Sequence, residues 1–353
     1  MDLPLSNETD LQFEAQQIKW YAMTFIRCFC LIMIPFGIIG HLLSIFVFTR
    51  RTLRTNPCVM YLFAATVSGL LSSCFILPMR LIQAGYIDID PTLHSLIACK
   101  IIWFLLYSIR LLGFWFIVLA CIDRYLCSCS STDKRAWSST HVASRAILIT
   151  TIMCFLAYVH IPIHFRFYIE PATQKRVCHS AGPLGIYRKI FSFYNLIIFG
   201  FLPPFCMFIF GLLTLRHVHE KETFYMTARV NSAKLKAKVS DRQLCRMLFT
   251  QVFIYGITGL VFCAAFIHIS MNKSSRKTIL DIAYEDLTIT IVGMLSNIGP
   301  CSSFYLYTLS SRLFRKELKN LFYSSHTRAM QLNDCCTDTN ELELVTVLQS
   351  DLC

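Results

Sequence analysis

The sequence predicts an all-α membrane protein, a bundle of seven transmembrane helices with a short cytoplasmic amphipathic eighth helix. Two observations support this fold class. The 353 residues are 55% hydrophobic and only 15% charged, well below the quarter of charged residues that is usual in a soluble domain. The apolar residues also form seven long stretches with polar connections between them, as in a chain that crosses a membrane repeatedly.

Each stretch is long enough to cross the bilayer as a helix. A helix rises about 1.5 Å per residue, so about 20 apolar residues cross roughly 30 Å of hydrocarbon. The expected spans, numbered one to seven, are roughly Tyr21–Phe48, Cys58–Gln83, Leu96–Cys129, Val142–Phe167, Ile190–His217, Leu244–Met271 and Ile282–Thr308. The prolines inside them are compatible with spanning helices, because neighbouring helices can satisfy the freed backbone groups.

Lysine and arginine set the expected orientation, because they collect in cytoplasmic loops. They are concentrated after spans one, three, five and seven. We therefore expect residues 1–20 to be an extracellular tail, residues 21–323 the seven-transmembrane domain with its amphipathic helix, and residues 324–353 a disordered cytoplasmic tail. The net charge of +12 then reflects orientation in the membrane, and no nucleic-acid partner is expected.

Cysteines and one sequon add expectations about the two surfaces. Most of the seventeen cysteines lie in apolar spans, where cysteine acts as a small hydrophobe. Cys99 and Cys178 lie in predicted outer segments, so we expect a disulfide that closes a loop of about 80 residues over the mouth of the bundle. Two unpaired outer cysteines are the alternative interpretation. Asn7 begins a glycosylation sequon on the same side. Cys335 and Cys336 are either palmitoylated or free reduced thiols.

The segment after span seven has the pattern of an amphipathic helix. Phe314, Leu318 and Leu321 are spaced four and three residues apart, with basic residues between them. This spacing predicts a helix whose apolar face contacts the lipids of the inner membrane surface.

Span three carries the most informative motif. From Cys99 to the arginine of Asp123-Arg124-Tyr125 is 25 residues, about 37 Å as an α-helix and enough to cross the bilayer. One helix thus places a cysteine outside and the triplet inside. Together with Cys178 in the loop before span five, this pattern resembles the rhodopsin-like (class A) G-protein-coupled receptors, over roughly residues 22–322.

The resemblance implies a switch that meets a heterotrimeric G protein at the cytoplasmic surface. Asp123 is expected to hold Arg124 and to release it on activation, because a charged pair at a low-dielectric boundary is a two-state element. An ordinary snorkelling arginine is the alternative interpretation. The expected switch residues are Asp123, Arg124, Tyr125, Tyr307, Arg242 and Arg246.

Other positions depart from the family pattern. Span one has His41 after Gly40 where asparagine is usual, and span two has Gly69 where the family has a sodium-binding aspartate. Span six has no Cys-Trp-x-Pro, and span seven reads Ser-Phe-Tyr-Leu-Tyr, ending at Tyr307, where Asn-Pro-x-x-Tyr is usual. We therefore expect no sodium site, and a non-signalling seven-helix binding scaffold is one alternative function.

Arg110 is the costliest residue of the predicted bundle. It lies 11 residues, about 16 Å, below Cys99, near mid-membrane, where a charged side chain is a functional hypothesis by default. We expect Arg110, with Tyr107, Arg80 and Asn195 nearby in the family arrangement, to bind an anionic or carbonyl-rich ligand group. Alternatively, Arg110 is hydrated or bonds backbone carbonyls.

The expected ligand is an extracellular peptide. Glu285, at the outer start of span seven, could receive a basic group of that peptide, or it could simply favour the helix dipole. An outer mouth with both basic and acidic groups suits a short charged peptide. The family resemblance is closest to invertebrate neuropeptide receptors of the FMRFamide-receptor-like kind.

These features predict a plasma-membrane receptor, with its N-terminus outside, that binds a neuropeptide and activates heterotrimeric G proteins. A chemosensory receptor for small molecules is the alternative within the class. Paired intramembrane acids, an inverted repeat or a filter segment would indicate a transporter or channel, and none is visible in the sequence. No catalytic, phosphate-binding or metal-ligand motif is visible either, so we expect no enzyme activity, cofactor or metal.

Overall fold

The computed structural model describes residues 5–86, 89–169, 176–180, 186–225, 232–271 and 278–321, and most of these residues are helical. Short helices in the connections are Arg51–Arg54, Pro91–His94 and Thr132–Ala136. In chain order, the helices of the seven spans are Leu5–Phe48; Pro57–Leu71 and Leu77–Gly85; Leu96–Ser128; Thr140–Ala157 and Ile161–His164; Ile186–Asn195 and Leu202–Tyr225; Ser232–Met271; and Ile279–Leu295 and Ile298–Ser310. Within these described ranges, six helices are long and apolar enough to cross a membrane, judged by length and composition alone.

The sequence predicted one continuous helix for span seven, but the structure has two. Ile279–Leu295 and Ile298–Ser310 are separated by a turn at Ser296 and Asn297. Pro300 explains the interruption, because proline lacks the N–H that would bond the carbonyl four residues earlier and its ring clashes with that carbonyl. That carbonyl belongs to Ser296, so the helix breaks there.

Spans two and five contain π-helical turns just before prolines. Ser72–Ile76 precedes Pro78, and Leu196–Phe201 precedes Pro203. The proline again removes a backbone hydrogen bond, and a wider turn accommodates the lost contact.

Span one begins at Leu5 rather than near Tyr21. The sequence from Leu5 to Trp20 contains no proline or glycine, so nothing in it interrupts a helix. Ala15 and Ile18 are buried against Ala283 of span seven. Much of the segment expected as a tail is therefore helical, and Asn7 lies in its first turn.

A β-hairpin lies between spans four and five, at the end of the bundle where span three begins. Strands Phe165–Ile169 and Arg176–Ser180 pair antiparallel, with Phe167 opposite Cys178. Cys178 is disulfide-bonded to Cys99 at the start of span three, with the two Cα atoms 5.9 Å apart, as the sequence predicted. The expected extension of span four to Phe167 is wrong, because the chain is already extended from Phe165 onward.

The packing of the bundle is that of a membrane protein. Its largest apolar cluster includes buried side chains from spans two, three, five and seven. Large apolar side chains on the outside, in contrast, are exposed, as along one side of span four at Leu148, Ile152 and Leu156. A soluble protein rarely exposes such a continuous apolar surface, whereas lipid accommodates it.

A short helix follows span seven over residues 312–321, as predicted. The hydroxyl of Ser311 caps it by accepting a hydrogen bond from the Phe314 N–H at 3.2 Å. Phe314 is buried between Phe48 and Tyr307, with ring centres 5.6 and 5.8 Å away. The helix is therefore fixed to spans one and seven. Cys335 and Cys336 lie outside the described residues.

Candidate functional site

One end of span three carries a buried ion pair between adjacent residues. Nη2 and Nε of Arg124 donate to Oδ2 of Asp123 at 2.6 and 3.2 Å, and both side chains are buried. The hydroxyl of Ser138 donates to the other carboxylate oxygen at 2.7 Å. Because both oxygens of Asp123 accept hydrogen bonds, the buried carboxylate is stabilised as the anion that holds Arg124.

Arg124 and Tyr125 extend this contact to spans two and five. Nη2 of Arg124 donates to Oδ1 of Asn56 at 3.3 Å, and the same oxygen caps span two by accepting from the Cys58 N–H at 3.0 Å. The ring centre of Tyr125 lies 5.7 Å from those of Phe210 and His217 in span five. The triplet thus joins three spans.

A second polar cluster joins spans six and seven. The hydroxyl of Tyr307 donates to the side-chain oxygen of Gln251, whose nitrogen donates to Oγ of Ser303 at 3.1 Å. All three side chains are buried. Sequence reasoning missed Gln251, although an amide inside a strongly apolar span is itself a signal of a buried hydrogen bond.

The start of span six is also bonded to the helix that follows span seven. Oε1 of Gln243 accepts hydrogen bonds from the Leu313 N–H and from the Ser311 hydroxyl, the latter at 3.3 Å. Arg246 lies one turn further along span six and is exposed. Arg242 lies in the same helix, and its side chain is outside the described part of the structure.

In the other half of the bundle, Arg110 reaches the break in span seven. Its Nη2 donates to the hydroxyl of Ser296 and, at 3.5 Å, to the carbonyl of Gly293. Its Cζ lies 4.5 Å from the centre of the Phe199 ring. The carbonyls that end the helix Ile279–Leu295 carry partial negative charge, so the break is a favourable place for a guanidinium. This geometry agrees with the alternative expectation that Arg110 bonds backbone carbonyls.

Tyr107 and Arg80 lie near Arg110 and interact with it electrostatically. The ring centre of Tyr107 is 5.1 Å from that of Phe191 and 5.9 Å from that of Trp103. The guanidinium of Arg80 lies over Trp103, with Cζ 5.9 Å from the ring centre. Three of the predicted ligand residues are therefore brought together between spans two, three and five.

The two other predicted ligand residues have different surroundings. Asn195 is buried, and its amide accepts from the Tyr158 hydroxyl at 2.9 Å and donates to the Phe191 carbonyl at 2.9 Å. This arrangement ties span four to span five. Glu285 is partly buried in the helix that Thr278 caps at the start of span seven.

The structure adds three polar groups that the sequence did not single out. The amide of Gln83, Nε1 of Trp103 and the hydroxyl of Tyr187 are buried without a hydrogen-bond partner among the described residues. They lie in spans two, three and five, in the half of the bundle that holds the Cys99–Cys178 disulfide. Such groups are rare in folded proteins and need a partner, which a bound ligand can supply. A single glutamine, tryptophan or tyrosine has no sequence pattern that would have revealed it.

Comparison with known families decides between classes of membrane protein. The model of the family described as "7 transmembrane receptor (rhodopsin family)" matches residues 40–300. The chain belongs to this family. The match covers most of the chain, from span one into the second helix of span seven.

Two curated relatives match along most of their length. Neuromedin-U receptor 1 of Mus musculus is 23% identical over 333 residues, which cover 88% of this chain and 77% of the relative. C-C chemokine receptor type 1 of Macaca fascicularis is 23% identical over 298 residues, which cover 81% of this chain and 76% of the relative.

In this rhodopsin-family receptor, two of the unusual residues are neighbours in space. The imidazole of His41 in span one lies beside Gly69 of span two, and a Cβ atom at Gly69 would overlap the ring. Glycine leaves this space open. The two departures from the family pattern therefore compensate each other in size, because the large side chain in span one fills the space that a side chain at position 69 in span two would occupy.

Proposed function

We propose that this protein is a plasma-membrane G-protein-coupled receptor for an extracellular peptide, with its N-terminus outside the cell. One observation carries the proposal: span three holds the buried Asp123–Arg124 pair at one end and is tied by Cys99 to the outer hairpin at the other. Arg110 lies between these ends. A single rigid helix therefore connects a candidate ligand region with a candidate G-protein region.

A peptide ligand is supported by the chemistry of the outer half of the bundle. Arg80 and Arg110 provide donors for a carboxylate or carbonyl group. The partnerless groups of Gln83, Trp103 and Tyr187 suit the alternating donors and acceptors of a peptide backbone. The names of the two relatives, a neuromedin-U receptor and a chemokine receptor, support the same choice.

The mechanism proposed for the outer half is competition for Arg110. A ligand acid or carbonyl that bonds Arg110 replaces the Ser296 hydroxyl and the Gly293 carbonyl, and thus frees the break in span seven. A ligand shifts the equilibrium between two receptor states only by the difference in its affinity for them. Arg110 provides that difference, since its hydrogen bonds differ between the two states.

At the cytoplasmic end, the proposed change is the separation of span six from its partners. Gln251 bonds Tyr307, and Gln243 bonds the 312–321 helix, so both contacts must open before span six can move. Arg124 must also leave Asp123 in order to meet a G protein. The basic residues Arg242 and Arg246 lie on the helix that would move.

The test is a peptide-library screen in cells with a promiscuous G-protein readout. The proposal expects at least one peptide to activate the wild-type receptor and not the Arg124→Ala variant at equal surface expression. The same cells are also screened with volatile and other small organic ligands, which tests the chemosensory alternative. Activation by small molecules alone would replace the peptide proposal.

The narrower resemblance to invertebrate FMRFamide receptors stays a prediction, and the screen addresses it directly. FMRFamide-like peptides form one panel of the library, and neuromedin-U-like peptides form another. Preferential activation by the first panel supports the narrower assignment, and activation by the second alone contradicts it. Palmitoylation of Cys335 and Cys336 and glycosylation of Asn7 are likewise predictions, which mass spectrometry of the purified receptor checks.

A further inference from the structure

A cavity in the middle of the bundle is lined by side chains from spans one, two, three, six and seven. The space open to the centre of a water-sized sphere is about 20 Å³. This is enough for one or two water molecules or one monatomic ion. Its polar and charged lining residues are His41, Ser68, Ser72, Arg110, Tyr255, Asn297 and Ser303.

His41 is the first indication that this cavity has an occupant. Its side chain is only 1% exposed, and neither ring nitrogen has a hydrogen-bond partner among the described residues. An imidazole carries at least one N–H donor, whichever tautomer is present. A fully buried polar ring that lines a cavity and makes no hydrogen bond to the described residues requires a partner inside that cavity.

Arg110 is the second, independent indication. Both of its hydrogen bonds use Nη2, which leaves its Nε and Nη1 protons for another acceptor. The acceptors of those two bonds, a carbonyl and a hydroxyl, and the face of the Phe199 ring carry only partial negative charge. Arg110 is partly buried, and a guanidinium at this depth in a membrane bundle favours a compensating negative charge, because its desolvation is costly.

The described surroundings of Arg110 supply no such charge. No aspartate or glutamate is among the residues that line the cavity. The titratable groups with which Arg110 interacts are Arg80, Tyr107 and Tyr158, of which the first is a second cation. The field inside the cavity is therefore positive, and it favours an anion over a metal cation.

We propose that the cavity between Arg110 and His41 binds a small inorganic anion of the size of chloride. The anion accepts hydrogen bonds from the free guanidinium protons of Arg110 and from the N–H of His41. A water molecule would satisfy the imidazole but would leave the charge of Arg110 uncompensated. Gly69 contributes by leaving room for the imidazole at the cavity wall.

The test is thermal unfolding of the purified receptor in lipid nanodiscs, without peptide or G protein. Sodium concentration and ionic strength are held constant while isethionate, which is too large for the cavity, is replaced by chloride. We expect Tm to rise saturably, by about 2–4 °C at a chloride concentration of about five times Kd. Bromide should act in the same way. An equal Tm in chloride and isethionate would overturn the proposal and leave water as the occupant.

Two variants and a matched control locate the effect. Arg110→Gln and His41→Phe should each abolish the chloride-dependent rise in Tm. Arg27→Gln is the control, because Arg27 also donates to a backbone carbonyl, that of Gly85 at 2.8 Å, and its Cζ lies 4.5 Å from the centre of the Tyr86 ring. Arg27 does not line the cavity, so this variant should keep the rise. A rise that persists in both cavity variants would place the anion elsewhere and contradict the proposal.

If either cavity variant fails to fold, bromide in the wild-type receptor gives the answer. Anomalous diffraction should show a bromide peak between Arg110 and His41, and its absence would refute the site. Because neither peptide nor G protein enters these measurements, their failure leaves the proposed signalling function untouched.

Discussion

The hydroxyl of Tyr307 in span seven donates a hydrogen bond to the side-chain oxygen of Gln251 in span six, and both side chains are buried in the bundle. This contact links the two spans whose family motifs are most altered. Gln251 also donates to Ser303, which stands within the changed end of span seven. The structure therefore retains a polar connection between spans six and seven, made by different residues.

The first prediction concerns this connection. Replacement of Gln251 by leucine removes the amide oxygen to which the buried Tyr307 hydroxyl donates, which should destabilise the receptor by about 1–3 kcal/mol. Adding Tyr307→Phe removes the second polar group as well and should recover much of the loss. Thermal unfolding of the two single variants and the double variant measures the coupling. Strictly additive losses would show that the contact contributes no stability.

The same contact should restrain basal signalling. If span six must leave Tyr307 before a G protein can bind, Gln251→Leu raises nucleotide exchange without ligand. Thr250→Val is the matched control, since among the described residues the Thr250 hydroxyl donates to the Arg246 carbonyl of its own helix and joins no other span. Equal basal exchange in the two variants at equal surface expression would rule out a restraining role.

A second prediction concerns Asp123. Changing it to asparagine removes the charge that holds Arg124, and breaking a buried pair costs about 3–5 kcal/mol. We expect a lower Tm and a higher basal rate of nucleotide exchange. Ser138→Ala, which removes only the hydrogen bond to the other carboxylate oxygen, should change both in the same direction by less. An unchanged basal rate in Asp123→Asn would separate this pair from activation.

The third prediction concerns ligand recognition by Arg110. Loss of one charge-assisted hydrogen bond is worth about 1.5–3 kcal/mol, so Arg110→Leu should weaken peptide potency by about 10- to 100-fold. Arg27→Leu, which removes an arginine in similar surroundings elsewhere in the bundle, should leave potency within about threefold. A concentration–response curve on cells with matched surface expression decides the matter. Unchanged potency in Arg110→Leu would remove this residue from the ligand site.

The fourth prediction concerns the outer hairpin. Cys99→Ser removes the disulfide to Cys178 and should cost about 2–5 kcal/mol, with reduced surface expression. Cys178→Ser should have the same effect, and the double variant should be no worse than either single one. Surface labelling of an N-terminal epitope measures all three. A double variant much worse than the singles would assign each cysteine a separate role.

Features fixed by local sequence could be predicted closely. Span three runs from Leu96 to Ser128, one residue short of the expected end, because an unbroken apolar run with a capping serine defines its own length. The Cys99–Cys178 disulfide could also be predicted, since few cysteines lie outside the spans. These conclusions depend only on hydropathy and on the rise of a helix.

Features that depend on contacts between spans could not be predicted. Hydropathy does not register the break at Ser296, since a membrane helix often tolerates a proline and only the neighbouring helix decides whether it breaks. Here Arg110 contributes to that outcome by donating to the Gly293 carbonyl and the Ser296 hydroxyl at the break. The bond between Gln251 and Tyr307 joins residues 56 positions apart, and no spacing rule relates them. The space that Gly69 leaves for His41 is likewise visible only in three dimensions.

The central claim is that this receptor activates a heterotrimeric G protein through Arg124. Nucleotide exchange on purified G proteins of each class, catalysed by nanodisc-reconstituted receptor with an active peptide from the screen, tests it most directly. We expect exchange with at least one class and its loss in Arg124→Ala, with peptide binding retained. Exchange no greater than that of receptor-free nanodiscs for every class, in a receptor that binds its peptide, would contradict the claim and leave a binding scaffold.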